Sequence, residues 1–160
     1  MKIIIYGCDN SGKTTLAETL SKELGYKYLH SPGNVSVEEM EDYINNFNNS
    51  TESIISDRFP LIEEYVYGYI LRGEDRLSYK NWMSDLVNAD LLVYCNPGKD
   101  VIKNWGDREQ MDGVKSEVDL IIDRYEFVTY QLKKLGLNVK EYDYTKDNYK
   151  DLLGGLIEHN

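Results

Sequence analysis

The chain has 160 residues, of which 41% are hydrophobic and 29% charged, a balance that suits one domain with a buried core. Its net charge of -10 argues against an extended nucleic-acid footprint, and its two cysteines and two histidines are too few for a structural zinc site. No apolar run reaches membrane-spanning length and no signal peptide is recognisable, so we expect one cytoplasmic domain over residues 1–160.

Short apolar runs alternate with helical periodicities along the chain, a pattern typical of a parallel α/β sheet. Continuous apolar runs such as Leu91 to Val93 match strands that are buried on both faces. The predicted strands are Lys2–Tyr6, Tyr26–His30, Ser53–Ser56, Asp90–Cys95 and Asn138–Tyr142. Apolar periodicity predicts helices around Leu16, Leu20 and Leu24 (ending at Gly25), over 61–70, over 114–135 and over 152–157.

The segment over residues 7–14, GCDNSGKT, matches the phosphate-binding pattern G-x-x-x-x-G-K-[ST] between the first strand and the first helix. Its glycines let successive backbone N–H groups point at phosphate oxygens, and the dipole of the following helix also favours anions. Lys13 supplies a charge for the β- and γ-phosphates, and Thr14 offers a hydroxyl to Mg²⁺. The residues expected to contact a nucleotide are Asn10, Ser11, Gly12, Lys13, Thr14 and Thr15.

A second candidate site follows the third predicted strand, where Asp57 and Arg58 are adjacent. In doubly wound sheets ligands gather outside the carboxyl ends of the strands, so Asp57 is expected to face the phosphates held by Lys13. A carboxylate there can hold Mg²⁺ through water or act as a base toward an acceptor oxygen. Arg58 can clamp a second anionic group.

These segments together resemble the thymidylate kinase family and its small phage-type relatives that act on deoxynucleoside monophosphates. The resemblance is carried by G-x-D-x-x-G-K-T-T in the phosphate loop, by the D-R-F segment that ends at Phe59, and by the Pro32–Gly33 pair. It runs from residue 1 to about residue 70 and, more weakly, to the end of the chain. It implies a P-loop NTPase fold: a three-layer α/β/α sandwich around a five-stranded parallel sheet in the order 2-3-1-4-5.

The resemblance also implies an activity: ATP and Mg²⁺ with a deoxynucleoside monophosphate, dTMP or another pyrimidine nucleotide, giving ADP and the diphosphate. Asp9 would meet the acceptor sugar, Arg58 would hold the acceptor phosphate, and Asp57 would organise Mg²⁺. The acceptor pocket would be shaped by Pro32 and Gly33 and contacted by Phe59 or Tyr67. The sequence departs from the family in this region, because the turn reads H-S-P-G where the family commonly has R-E-P-G.

The stretch over residues 103–113 falls where the family has a mobile lid, and Arg108 is its only arginine. An arginine on a closing loop would supply charge to the transferring phosphoryl group and exclude water. Lys99, Lys103 and Arg124 are weaker substitutes for that charge. The resemblance further implies a homodimer, formed through the tyrosine-rich helix after residue 60.

Two other functions agree with the same residues. A kinase that acts on an uncharged hydroxyl, of a deoxynucleoside or of a nucleic acid, would use Asp57 as its base and Arg58 for the transferring phosphate. A nucleotide-binding module would bind ATP with little turnover. The composition, which is rich in Asn, Tyr, Ile and Lys, agrees with a phage or low-GC bacterial source.

Overall fold

The computed structural model describes residues 1–106, 110 and 113–154. All five predicted strands are present, each within one residue of its expected bounds. The elements in chain order are β1 (Lys2–Tyr6), α1 (Lys13–Leu24), β2 (Lys27–His30), α2 (Val37–Asn49), β3 (Ile54–Asp57), α3 (Pro60–Glu63), a π-helical segment (Glu64–Gly68), α4 (Tyr69–Arg72), α5 (Trp82–Leu86), β4 (Leu91–Cys95), α6 (Lys99–Lys103), α7 (Val118–Lys134), β5 (Val139–Tyr142) and α8 (Lys150–Leu153).

The five strands form one parallel sheet in the order β2-β3-β1-β4-β5, which confirms the predicted topology. Asp57, the last residue of β3, pairs in register with Ile5 of β1 and with His30 of β2. The carboxyl ends of these three strands therefore lie side by side. The loop after β1 and the loop after β3 leave the sheet at the same edge, as expected for a doubly wound fold.

The two faces of the sheet carry separate hydrophobic cores, and β1 contributes to both because its side chains alternate. Ile4 and Tyr6 pack in the core covered by α2, α3 and α7. Ile3 and Ile5 pack in the core covered by α1 and α8. Helices thus cover both faces of a buried sheet, which makes the three predicted layers.

Three helical boundaries differ from the sequence expectation. The predicted helix over 114–135 begins at Val118, because residues 113–117 form turns. The predicted final helix over 152–157 is observed as α8, and residues 155–157 of that prediction lie outside the described part of the chain. The predicted helix over 61–70 is interrupted by the π-helical segment, whose wider turn changes the direction of the residues that follow.

Helix α2 was not among the predicted elements, although its start is readable from the sequence. Ser36 accepts a hydrogen bond from the Glu39 backbone, and the Glu39 side chain accepts one from the Ser36 backbone. This reciprocal capping box satisfies two N–H groups at the start of the helix. Among the described residues, no helix is long and apolar enough to cross a membrane.

Candidate active site

The phosphate loop connects β1 to α1, and its lysine is held in place by the loop itself. Lys13 is 4% exposed, donates a hydrogen bond of 2.9 Å to the Cys8 carbonyl, and lies 3.6 Å from Asp9 Oδ1. Gly12 caps α1 with a left-handed φ of 85°, and a Cβ there would lie 2.7 Å from the Tyr144 ring. Both its backbone conformation and this close approach therefore require glycine.

Asp57 is fully buried at the end of β3 and is fixed by donors from two neighbouring elements. Thr14 Oγ1 donates to Asp57 Oδ2 at 2.7 Å, and the Tyr28 hydroxyl donates to the same oxygen, also at 2.7 Å. His30 Nε2 lies 3.7 Å from that oxygen. The structure thus brings together Thr14 and Asp57, two residues that the sequence analysis associates with Mg²⁺.

The other oxygen of this carboxylate suits a cation or a water bound to one. Asp57 Oδ1 is buried and has no hydrogen-bond partner among the described residues. No cluster of three or more His, Cys, Asp or Glu side chains that could hold a metal occurs within the described ranges. Mg²⁺ in kinases needs only one or two protein ligands, since waters and substrate phosphates complete its shell. Thr14 and Asp57, both oxygen donors, therefore fit Mg²⁺.

Arg58 turns back from the end of β3 toward the phosphate loop. Its φ of 69° is left-handed, a conformation that is rare for a non-glycine residue and concentrates at functional sites. One terminal nitrogen, NH2, donates to Asp9 Oδ1 at 2.5 Å, and the other, NH1, lies 3.4 Å from Glu63 Oε2. Burial lowers the pKa of Arg58, but Glu63 and Asp9 together raise it above its usual value, so the guanidinium stays charged.

Glu63 is a member of this cluster that the sequence analysis missed. Its other oxygen, Oε1, accepts a hydrogen bond of 2.8 Å from the Tyr125 hydroxyl on α7. Burial raises the pKa of Glu63, against the opposing effects of Arg58, Lys13 and the Tyr125 hydrogen bond. Tyr125 lies far away along the chain, so only the three-dimensional structure shows that this carboxylate faces Arg58.

A small cavity of about 60 Å³ lies beside Arg58, and four of the predicted acceptor-site residues line it. They are Pro32, Gly33, Arg58 and Tyr67. The Tyr67 hydroxyl also accepts a hydrogen bond of 3.2 Å from the Asp9 backbone, because the π-helical segment turns this side chain toward the phosphate loop. Phe59 is fully buried, packs edge-on against Phe47, and does not line the cavity.

A larger cavity of about 410 Å³ lies on the other side of the phosphate loop. Its walls combine residues of the loop and of α1 with tyrosines at the end of the last strand and after it. They are Asn10, Gly12, Thr15, Leu16, Thr19, Tyr142, Tyr144 and Tyr149. The sequence analysis missed these tyrosines. The position of Tyr142 and Tyr144 at the carboxyl end of β5 was the available signal, because ligands gather at that edge of the sheet.

The predicted lid lies partly outside the described residues, and Arg108 is among those not described. The start of this region is tied to the phosphate loop, because the Asn10 side-chain amide donates to the carbonyls of Val101, Ile102 and Asn104. The substitutes considered for Arg108 have other partners. Lys103 pairs with Asp119, Lys99 lies 3.6 Å from Asp123, and the Arg124 guanidinium stacks on the rings of Tyr65 and Tyr69.

Glu64 forms a second buried ion cluster at the rim of the smaller cavity. It is 3% exposed and pairs with Arg72 at 2.6 Å and with Arg76 at 2.8 Å. Gly68 makes room for it, since a Cβ at Gly68 would lie 2.8 Å from the Glu64 carboxyl carbon and 2.9 Å from the Glu74 carbonyl.

We expect Gly68→Ala to destabilise the fold, although alanine is ordinarily the better helix former by about 1 kcal/mol. Overpacking against Glu64 and the Glu74 backbone costs roughly 1–3 kcal/mol, which outweighs that gain. Urea unfolding measures the difference. Gly154→Ala serves as the control, because Gly154, the C-cap of α8, has right-handed helical dihedrals and the nearest described atom to a Cβ there would be an unstrained 3.6 Å away. A Gly68→Ala protein as stable as the wild type would contradict the expectation.

No family model and no curated protein matches the sequence. Solved structures do match, over nearly the whole chain. The YorR protein of Bacillus subtilis, in complex with phosphorylated GDP, is 22% identical with a TM-score of 0.72, covering 99% of this chain and 94% of that chain. Deoxyadenosine kinase from M. mycoides with bound dCTP is 19% identical with a TM-score of 0.65, covering all of both chains.

Thymidylate kinase from Candida albicans is also similar, with 17% identity and a TM-score of 0.56, over 98% of this chain and 89% of that one. Sequence identities of 22%, 19% and 17% establish a shared fold, and they do not establish a shared substrate. The strand order, the phosphate loop and the carboxyl-edge site described above agree with that relationship. The chain therefore has the fold of the thymidylate kinase-like P-loop kinases.

Proposed function

We propose that this chain is a kinase that transfers the γ-phosphoryl group of ATP, with Mg²⁺, to a small acceptor of the nucleoside class. The observation that carries the proposal is the convergence of Lys13, the Thr14–Asp57 pair and the Arg58–Asp9 pair at one edge of the sheet. This edge lies between two cavities, one for each substrate. Structural neighbours that are kinases of a deoxynucleoside and of thymidylate support the same class of acceptor.

Each side chain has a role in this proposal. Lys13 and the phosphate-loop N–H groups hold the donor phosphates, and positioning with charge stabilisation accounts for most of the catalysis of phosphoryl transfer. Bound Mg²⁺ would neutralise charge on the β- and γ-phosphates, and Thr14 and Asp57 would hold it. Asp9 and Arg58 orient the acceptor beside Pro32, Gly33 and Tyr67.

The acceptor is either a deoxynucleoside monophosphate or a free deoxynucleoside. The resemblance to thymidylate kinases favours the first, with dTMP or another pyrimidine nucleotide. An ADP-release assay with ATP and Mg²⁺, run across all deoxynucleosides and their monophosphates, tests the proposal. Turnover that is lost in Arg58→Ala supports it. ATP binding without turnover on any acceptor would instead indicate a nucleotide-binding module.

We assign the base of the phosphoryl donor to the larger cavity. Among the residues that line this cavity, Tyr144 gives the most direct test of the assignment. This side chain is 48% exposed beside Gly12, as a stacking surface for a base must be. Base–aromatic stacking contributes roughly 1–3 kcal/mol per base, so we expect Tyr144→Ala to weaken ATP binding about tenfold. Isothermal titration calorimetry measures the change in ATP affinity.

Tyr144→Phe is the control variant, because it keeps the ring and should bind ATP like the wild type. Tripolyphosphate, which has no base, should bind all three proteins equally. Equal ATP affinity in Tyr144→Ala would contradict the assignment.

A further inference from the structure

Arg58, which lines the smaller cavity, already pairs with two carboxylates. Both of its terminal nitrogens face acidic side chains, while its buried Nε has no hydrogen-bond partner among the described residues. NH2 donates to Asp9 at 2.5 Å and NH1 lies 3.4 Å from Glu63. Asp9 is 17% exposed and Glu63 is 16% exposed, so water does little to weaken either interaction.

The other cations near this cavity are also paired. Arg72, which lines the cavity, and Arg76 both bind Glu64, and Arg76 further donates to the Val35 carbonyl. Together, Arg72, Arg76 and Glu64 form a closed cluster with Gly68 behind it. Lys13 is held by the Cys8 carbonyl beside Asp9, at the donor side. Within the described residues, no arginine lining the cavity lacks an acidic partner.

A charged acceptor would disturb this arrangement. A phosphate monoester carries a charge of about -1.5 to -2 at neutral pH. To reach the guanidinium of Arg58, it would have to share that group with Asp9 and Glu63, whose two negative charges already outnumber its single positive charge. It would also add negative charge next to two acidic groups, an arrangement that is strongly unfavourable at low exposure. An uncharged sugar hydroxyl brings neither cost, and it can hydrogen-bond to the carboxylates as they stand.

We infer that the acceptor is an uncharged nucleoside rather than a nucleoside monophosphate, and that Glu63 is the residue that sets this preference. The inference rests on the proposed kinase function and selects between its two acceptors. In the reaction, the acceptor hydroxyl oxygen forms a bond to the γ-phosphorus, and the bond from that phosphorus to the β,γ-bridging oxygen breaks. The hydroxyl proton passes to Asp57, and the products are ADP and a nucleoside monophosphate.

The test compares kcat/KM for a deoxynucleoside and for its own 5′-monophosphate in the wild type and in Glu63→Gln. The wild type should prefer the nucleoside by at least about tenfold, the discrimination expected for one unpaired polar contact. Glu63→Gln keeps the shape of the side chain and removes its charge, so that one carboxylate fewer neutralises Arg58. The preference should then move toward the monophosphate by a similar factor. Glu38→Gln, an exposed acidic residue of α2, is the matched control and should leave the ratio unchanged.

Two outcomes overturn the inference: a wild type that prefers the monophosphate, or a ratio that Glu63→Gln does not change. If Glu63→Gln does not fold, Asp9→Asn removes the other negative charge that faces Arg58 and must shift the ratio in the same direction.

If the proposed kinase function itself is wrong, the ADP-release assay and the binding measurements give a different combination of results. If no acceptor yields ADP, the kinase assignment is wrong, and equilibrium binding still decides the acceptor preference. Calorimetry should then show the nucleoside bound at least about tenfold more tightly than its monophosphate, with a smaller gap in Glu63→Gln. A monophosphate that binds the wild type more tightly than the nucleoside contradicts the inference, whatever the turnover.

Discussion

We expect Lys13→Ala to lower kcat for the proposed phosphoryl transfer by a factor of about 10² to 10³, the usual effect of removing one group that stabilises developing charge. The side chain is nearly buried and its ammonium is held by the Cys8 carbonyl at 2.9 Å. A charge that is fixed and poorly hydrated before the substrate arrives needs no reorganisation during the reaction, so its contribution to catalysis is large. Steady-state ADP release under saturating ATP gives the measurement.

The control for this substitution is Lys22→Ala, which removes an exposed lysine from the last turn of the same helix α1. Its kcat should equal that of the wild type. A Lys13→Ala protein that is folded, binds ATP, and keeps kcat within threefold of the wild type would remove the phosphate loop from the proposed mechanism.

Asp57→Asn is the second substitution with a large expected effect, a loss of about 10² to 10³ in kcat. The amide has the same shape but no charge, so it can neither take a proton nor attract a cation. It also places an NH₂ group where Thr14 and Tyr28 now donate to a carboxylate oxygen, or turns that group toward the unpartnered Oδ1 position. The Mg²⁺ concentration that gives half-maximal activity should be higher for the variant than for the wild type.

Tyr28→Phe separates the charge of Asp57 from its hydrogen bonding. This variant removes one donor to Oδ2 and leaves the carboxylate in place. A hydrogen bond to a charged group contributes about 1.5–3 kcal/mol, but the charge of Asp57 and its contact with Thr14 remain, so kcat should fall by less than in Asp57→Asn. If Tyr28→Phe and Asp57→Asn lost the same activity, the role of Asp57 would be to hold β2 and β3 together rather than to act on the substrates.

The strands and the phosphate loop were predictable because their signals are local. An apolar run bounded by turns defines a buried strand, and the spacing from Gly7 to Thr14 defines a loop whose geometry hardly varies. The position of Asp57 followed from the same logic, since parallel strands bring their carboxyl ends to one edge. Their order in the sheet came from the family resemblance, and the register confirms it.

Glu63 and the tyrosines of the larger cavity were not predictable in this way. Glu63 is one of 28 acidic residues, and nothing in its neighbourhood of the sequence marks it. Its significance comes from Arg58 and from Tyr125, which approaches from α7. The π-helical segment is equally invisible to periodicity, which predicted one continuous apolar helix through Tyr69, a side chain that the structure leaves exposed. Long-range contacts and small changes of helical pitch are properties of the folded chain.

The position of Asp57 between β1 and β2 has a consequence for how this molecule would lose activity. The residue is fully buried in a strand that is paired on both sides, so we expect its amide to exchange mainly when the sheet as a whole opens. The centre of the site would therefore retain its geometry through fraying of helix ends and surface loops. Denaturant would abolish catalysis and unfold the sheet in a single cooperative transition, so the active fraction of a preparation would report its folded fraction.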